Sequence, residues 1–219
     1  RRKLWDEDSP DKNKAGNRLV IIGYDGDKKY ENVPSYIPGD TIKKVNGKTM
    51  TLIEFFVHSP FKDSLVEGRA ESDKNVTSIV MQARFKKSSW DTKPSALYLF
   101  GGDADHYIWE EIQNQSSAHN NGEKLDIDIF LAPHHCSWTY FNDVPYKKGE
   151  TDEPVESSKK LIKDHKVSGA VIIASSKQIN DDDDNPPHYP AKKEYIKLIG
   201  SSDKFISLAE EPDSKNSKP

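Results

Sequence analysis

Two histidines, a cysteine and a serine, His134-His135-Cys136-Ser137, follow closely on the apolar run Leu125-Asp126-Ile127-Asp128-Ile129-Phe130-Leu131. Ala132-Pro133 lies between, and proline cannot continue a ladder, so the strand closes just before the histidines. A second apolar run, Ala96-Leu97-Tyr98-Leu99-Phe100, ends in the same way on Gly101-Gly102-Asp103. Imidazoles and carboxylates hold borderline and hard divalent cations. Open α/β sheets place such groups at the carboxyl ends of their strands. These two strand ends suggest a metal site between them.

Several assignments stay open at this level. Asp103 can bridge two cations, or Asp103 or Asp105 can cap the amphipathic stretch that carries Ile108, Trp109 and Ile112. In an extended segment His134 and His135 point oppositely, so one ligates while the other contacts substrate or supports the ligand. His134 is the preferred ligand. Cys136 could offer a thiolate, but three consecutive residues cannot all reach one ion, and a small buried filler is the better reading. Ser175 and Ser176, closing the run 169–175, can bind phosphate oxygens. Ser137 and His188 are further candidates for contacting substrate. The acidic run 181–184 reads as a solvated loop.

Taken together, Gly102-Asp103, the later Ala132-Pro133-His134-His135-x-Ser137 and the earlier Asn75-Val76-Thr77-Ser78 resemble the second half of a metallo-β-lactamase-fold hydrolase. The branch resembled is the ComEC-like hydrolase domain of DNA-uptake competence proteins and its soluble relatives, over about 33–208. The resemblance implies an α/β fold, the metallo-β-lactamase αββα sandwich, with the carboxyl-terminal half of it in this chain. It implies that Asp103 is a metal ligand and, with His135, catalytic. It implies two divalent ions, zinc or manganese, with His134, His135 and His58 as further ligands and a metal-bound water attacking a phosphodiester. His58 has a structural reading of equal standing, and His188 sits one residue early against the family's His-Pro pair. Cys136 replaces a family glycine, and the family's principal motif, His-x-His-x-Asp-His, is nowhere in the chain. The expected partner is therefore an N-terminal half of the same domain or protein, with nucleic acid or another phosphodiester as substrate. The alternative is a catalytically inactive module with a binding or assembly role.

The elements that must position these groups come in a definite order. Strand-like runs at 18–24, 49–57 and 77–87, the second led by an Asn46-Gly47 hairpin signal, precede the run at 96–100. Helices over about 105–115, 155–165 and 190–200 then alternate with strands up to 204–208. That order indicates α/β layering, with crossover helices on one face of a sheet whose other face must pack on something. Residues 1–17 read as a flexible lead-in, 18–209 as the domain and 210–219 as a polar tail. Charged residues make up 31% and hydrophobic ones 34%, a soluble chain lean in core formers. No apolar run nears the roughly 20 residues of a membrane helix. A single cysteine rules out an internal disulfide and fits a reducing, cytoplasmic compartment. The net charge of −4 gives no general attraction to nucleic acid, so a polyanion would need a local basic patch or a metal. The chain opens on Arg1, which fits a fragment or a processed chain.

Overall fold

The computed structural model describes residues 20–23, 34–45, 47–62, 74–144, 153–182 and 186–210. The expected lead-in over 1–17 and the tail from 211 onward lie outside them. The strands are β1 (Ile21–Ile22), β2 (Ser35–Tyr36), β3 (Thr41–Ile42), β4 (Lys44–Val45), β5 (Lys48–Thr49), β6 (Ile53–Ser59), β7 (Val80–Phe85), β8 (Ala96–Phe100), β9 (Ile127–Leu131), β10 (Lys166–Ala174) and β11 (Phe205–Ser207). The helices are α1 (His106–Ala118), α2 (Glu156–His165) and α3 (Tyr189–Ile199).

Seven strands form one mixed sheet in the order β11-β10-β9-β8-β7-β6-β3. Strands β8 to β11 are parallel, and each is joined to its neighbour by one helix. Right-handed crossovers that always step the same way put α1, α2 and α3 on one face. Accordingly α1 packs beside α2, and α2 beside α3. Strand β7 runs antiparallel to β8 and β6 antiparallel to β7, so β6 ends at the same edge as β8 to β11.

The period of two decides which strand residues meet the helices. Leu99, Phe130, Ile172 and Ala174 do so, buried in one cluster with Trp109, Ile112, Leu161, Ile162 and Tyr195. Trp109 meets Phe130 edge-on at 5.4 Å, and Tyr140 stacks on Tyr195 at 5.4 Å. Truncating one of these aromatics to alanine costs roughly 3–5 kcal/mol. The opposite face carries Tyr98, Phe100, Ile129, Leu131, Val171 and Ile173, all partly exposed.

Local chemistry sets the boundaries. Asp105 caps α1 by accepting from the Ile108 amide at 3.1 Å, and Gly200, at φ +93°, ends α3. Strands β4 and β5 form the expected hairpin, with Lys44 opposite Thr49 and Val45 opposite Lys48. The expected strand 49–57 is therefore two pieces, a hairpin arm and β6. Asn75 to Thr77 fall in a 3-10 turn rather than a strand, because the Ser78 amide bonds back to the Asn75 carbonyl at 3.0 Å. Among the described residues no helix is long and apolar enough to cross a membrane.

Candidate functional site

The carboxyl ends of β8, β9 and β10 are neighbours on one edge of the sheet. Past β8, Gly101 has to be a glycine, since a Cβ there would lie 2.6 Å from Pro133 Cγ and 2.9 Å from the Leu131 carbonyl oxygen. That close approach accompanies a hydrogen bond from the His134 amide to the Gly102 carbonyl, 2.9 Å. Gly102 itself stands at φ +54°, and Asp103 follows it, exposed.

Past β9 the backbone turns left-handed. His134, His135 and Cys136 have φ of 47°, 57° and 68°, a region that disfavours side chains by roughly 1–2 kcal/mol per residue. Such strain persists only where its surroundings over-determine it, and it clusters at functional sites. The restraints here are visible. Besides the Gly102 bond, His135 Nδ1 meets the Ser175 carbonyl at 2.7 Å, and the His188 amide donates to the Cys136 carbonyl at 3.0 Å. The Trp138 amide donates to His188 Nδ1 at 2.8 Å. The histidine pair is thus not extended, and the alternation expected of it does not hold. Both rings sit at the same turn, 6.3 Å apart.

The ring bonds settle tautomers. A carbonyl oxygen can only accept, so His135 Nδ1 carries the hydrogen and Nε2 keeps its lone pair. That is the arrangement of a ligating imidazole oriented by a carbonyl. It is His135, not His134, whose ring is held in this way. His134 is partly buried, and its Nδ1 is enclosed without a hydrogen-bond partner. His188 is buried and accepts at Nδ1, so its neutral ring carries the hydrogen on Nε2. Burial lowers its pKa, and the neighbouring His134 lowers it further. His188 is therefore a neutral hydrogen-bond donor beside the pair.

The remaining candidates divide. Ser175 is exposed at the end of β10. Ser137 is fully buried, and its Oγ accepts from the Thr139 amide at 3.3 Å and the Thr139 hydroxyl at 3.1 Å. Cys136 is fully buried too, and burial pushes its thiol well above the ordinary range. His58 lies in the interior on the helix-covered side, its Nε2 donating to the Lys124 carbonyl at 3.0 Å and its ring edge-on to Phe56 at 4.9 Å. Burial lowers its pKa to about 4, assisted by Arg84 and Lys124. Asp103, His134, His135, Ser175 and His188 thus gather at one edge, while His58 is turned toward Lys124.

Sequence reasoning passed over Lys177, which lines a pocket with His135, Ser175 and Ser176. Its signal was its place directly after two serines at a strand end. The Trp138 amide and the Gly102 carbonyl, which hold the turn, are backbone groups and leave no mark in a sequence.

These donors do not enclose a divalent ion. Among the described residues, no three His, Cys, Asp or Glu side chains gather where an ion could sit. Compared with protein-family models, curated proteins and solved structures, the chain matches none.

Proposed function

We propose that this chain contributes to a metal-dependent hydrolase of the metallo-β-lactamase superfamily, similar to the ComEC-like branch, that cleaves phosphodiesters. In this reading the chain is the carboxyl-terminal half of an αββα sandwich. The complementary half covers the partly exposed sheet face of Tyr98, Phe100, Ile129, Leu131, Val171 and Ile173 and brings the missing ligands. A zinc or manganese pair would supply an acidified water as nucleophile. On this chain, Asp103 and His135 Nε2 would face the metals, and His188 would hold the turn by accepting from the Trp138 amide.

The observation that carries the reading is the strained His134–Cys136 turn at the meeting of three strand ends, with His135 presented by the Ser175 carbonyl. Within that turn Cys136 is buried in the core, whereas the oriented His135 ring is exposed and takes no part in packing. A second reading, an inactive module with a binding or assembly role, draws on the incomplete set of donors and on Cys136. The test is hydrolysis of bis(4-nitrophenyl) phosphate and single-stranded DNA by the full-length protein, with zinc or manganese added. His135→Asn should lower the metal-dependent rate by about 100-fold or more, as loss of a ligand or its orientation does. Activity that ignores this change would remove His135 from the reacting site, and none with either metal would leave the inactive module as the better reading.

A further inference from the structure

Trp90 stands on the turn that joins β7 to β8 and is 90% exposed, against 56% for Tyr107, the next most exposed large apolar residue among those described. Scattered apolar side chains on a surface need no explanation, but tryptophan is highly buried on average. The turn that carries it is braced. The Ser88 amide donates to Asp91 Oδ2 at 2.8 Å, the Trp90 amide to Ser88 Oγ at 3.2 Å and the Asp91 amide to the Ser88 carbonyl at 3.1 Å. At its base the Lys86 amide donates to the Leu52 carbonyl at 2.8 Å and the Ser95 amide to the Phe85 carbonyl at 2.6 Å. The indole is thus held out into solvent on a fixed loop, and little backbone freedom is lost when a partner meets it.

The same loop concentrates positive charge. Residues 86–95 hold three lysines, Lys86, Lys87 and Lys93, and one carboxylate, Asp91, in a chain whose net charge is −4. Asp91 is engaged by the Ser88 amide, whereas no ion pair among the described residues uses any of the three lysines. An exposed aromatic face among uncompensated ammonium groups is the set that binds single-stranded nucleic acid, with a base stacked on the ring and cations along the phosphates. A membrane surface calls for a broad apolar face, and Trp90 is the one large apolar residue of this loop. We infer that the β7–β8 turn is a docking site for single-stranded nucleic acid, in which Trp90 stacks on one base and Lys86, Lys87 and Lys93 meet the neighbouring phosphates. The inference rests on the phosphodiester reading for the bound strand's being substrate, and it supplies the local basic patch that a polyanion requires of an acidic chain. Strand β8 leads from this turn to the Gly102–Asp103 edge, and its five residues span about 17 Å. A nucleic-acid strand must lie along the sheet to touch both, which a small diester cannot do.

The experiment measures, by fluorescence anisotropy, binding of a fluorescein-labelled oligothymidine of about 20 nucleotides to the full-length protein, in EDTA so that no metal chemistry enters. Trp90→Ala should weaken binding about tenfold or more, and Trp90→Phe should restore most of it. Lys86→Gln, Lys87→Gln and Lys93→Gln together should lower the slope of log affinity against log salt by about 2, a slope that Trp90→Ala leaves unchanged. Binding that depends on Trp90 in this way supports the site even if no metal gives hydrolysis and the hydrolase reading falls. Equal oligonucleotide affinity in the parent and Trp90→Ala, or none in the parent, overturns the site even if hydrolysis is found. Binding to phosphatidylserine vesicles that Trp90→Ala abolishes, with no binding of the oligonucleotide, would assign the turn to a membrane surface and overturn it too.

Discussion

The His134 amide donates to the Gly102 carbonyl at 2.9 Å, so the loops that leave β8 and β9 are one unit. Gly101 permits this by letting Pro133 pack against its Cα, where a Cβ would come within 2.6 Å of the ring. Gly101→Ala should therefore destabilise the protein by about 1–3 kcal/mol, the usual cost of overpacking a tight contact. Denaturant unfolding measures this. A loss under about 0.5 kcal/mol would mean that the two loops move apart freely.

Asp103 and Asp105 should separate function from stability. Asp105 is the cap of α1, so Asp105→Ala should cost about 0.5–2 kcal/mol and leave metal-dependent hydrolysis within a few-fold. Asp103 is exposed and is not the cap. Asp103→Ala should leave stability within about 0.5 kcal/mol and abolish hydrolysis by the full-length protein. Full activity of Asp103→Ala would remove Asp103 from the site.

His58 makes stability depend on pH. Its folded pKa of about 4 lies below its ordinary value of 6.5, so the unfolded chain binds the proton more readily. The stabilisation from keeping His58 neutral is complete above about pH 6.5 and falls as pH drops toward 4. The gap corresponds to roughly 3 kcal/mol. Unfolding free energies measured from pH 7.5 to 4 should show this decline, and His58→Gln should flatten it. An unchanged profile in the variant would assign the decline to other groups.

Cys136 should be chemically silent in the folded protein. It is fully buried with its thiol pKa raised, and the thiolate is the reactive form. A thiol reagent such as DTNB should titrate no cysteine under native conditions and one after denaturation, the chain having a single cysteine. Cys136→Ala should leave zinc affinity unchanged. Rapid native labelling, or loss of zinc in the alanine variant, would place the sulfur at the site instead.

The sheet face opposite α1, α2 and α3 should govern association. Residues 1–219 expressed alone should self-associate or precipitate, since Phe100, Ile129, Leu131, Val171 and Ile173 are contiguous and partly exposed. Soluble monomers seldom tolerate apolar patches beyond a few hundred Å2. Ile129→Lys with Ile173→Lys should raise the monomer fraction in light scattering. A parent chain already monodisperse as a monomer would show that this face needs no partner.

Consecutive residues carried much of the architecture. The apolar runs at Ala96–Phe100 and Ile127–Leu131, the cap at Asp105, the stop at Gly200 and the β4–β5 hairpin each depend on a few neighbouring side chains. The alternation of strands and helices then dictated one helix-covered face, because right-handed crossovers leave little choice. That the ends of β8 and β9 would both carry candidate ligands was also written in the chain.

What the tertiary structure alone decided is how those groups are presented. The left-handed path of His134 to Cys136 runs against the preference of each residue. It is imposed by groups distant in sequence, such as Ser175, 40 residues from His135, and His188, 50 residues from Trp138. The same distant contacts choose the tautomers of His135 and His188, and a part-buried bond to Lys124, 66 residues on, turns His58 inward. Period and turn chemistry act between neighbours, so a sequence displays them. Strain, tautomer and burial arise between segments that meet only after the sheet has formed, and no local pattern of residues encodes them.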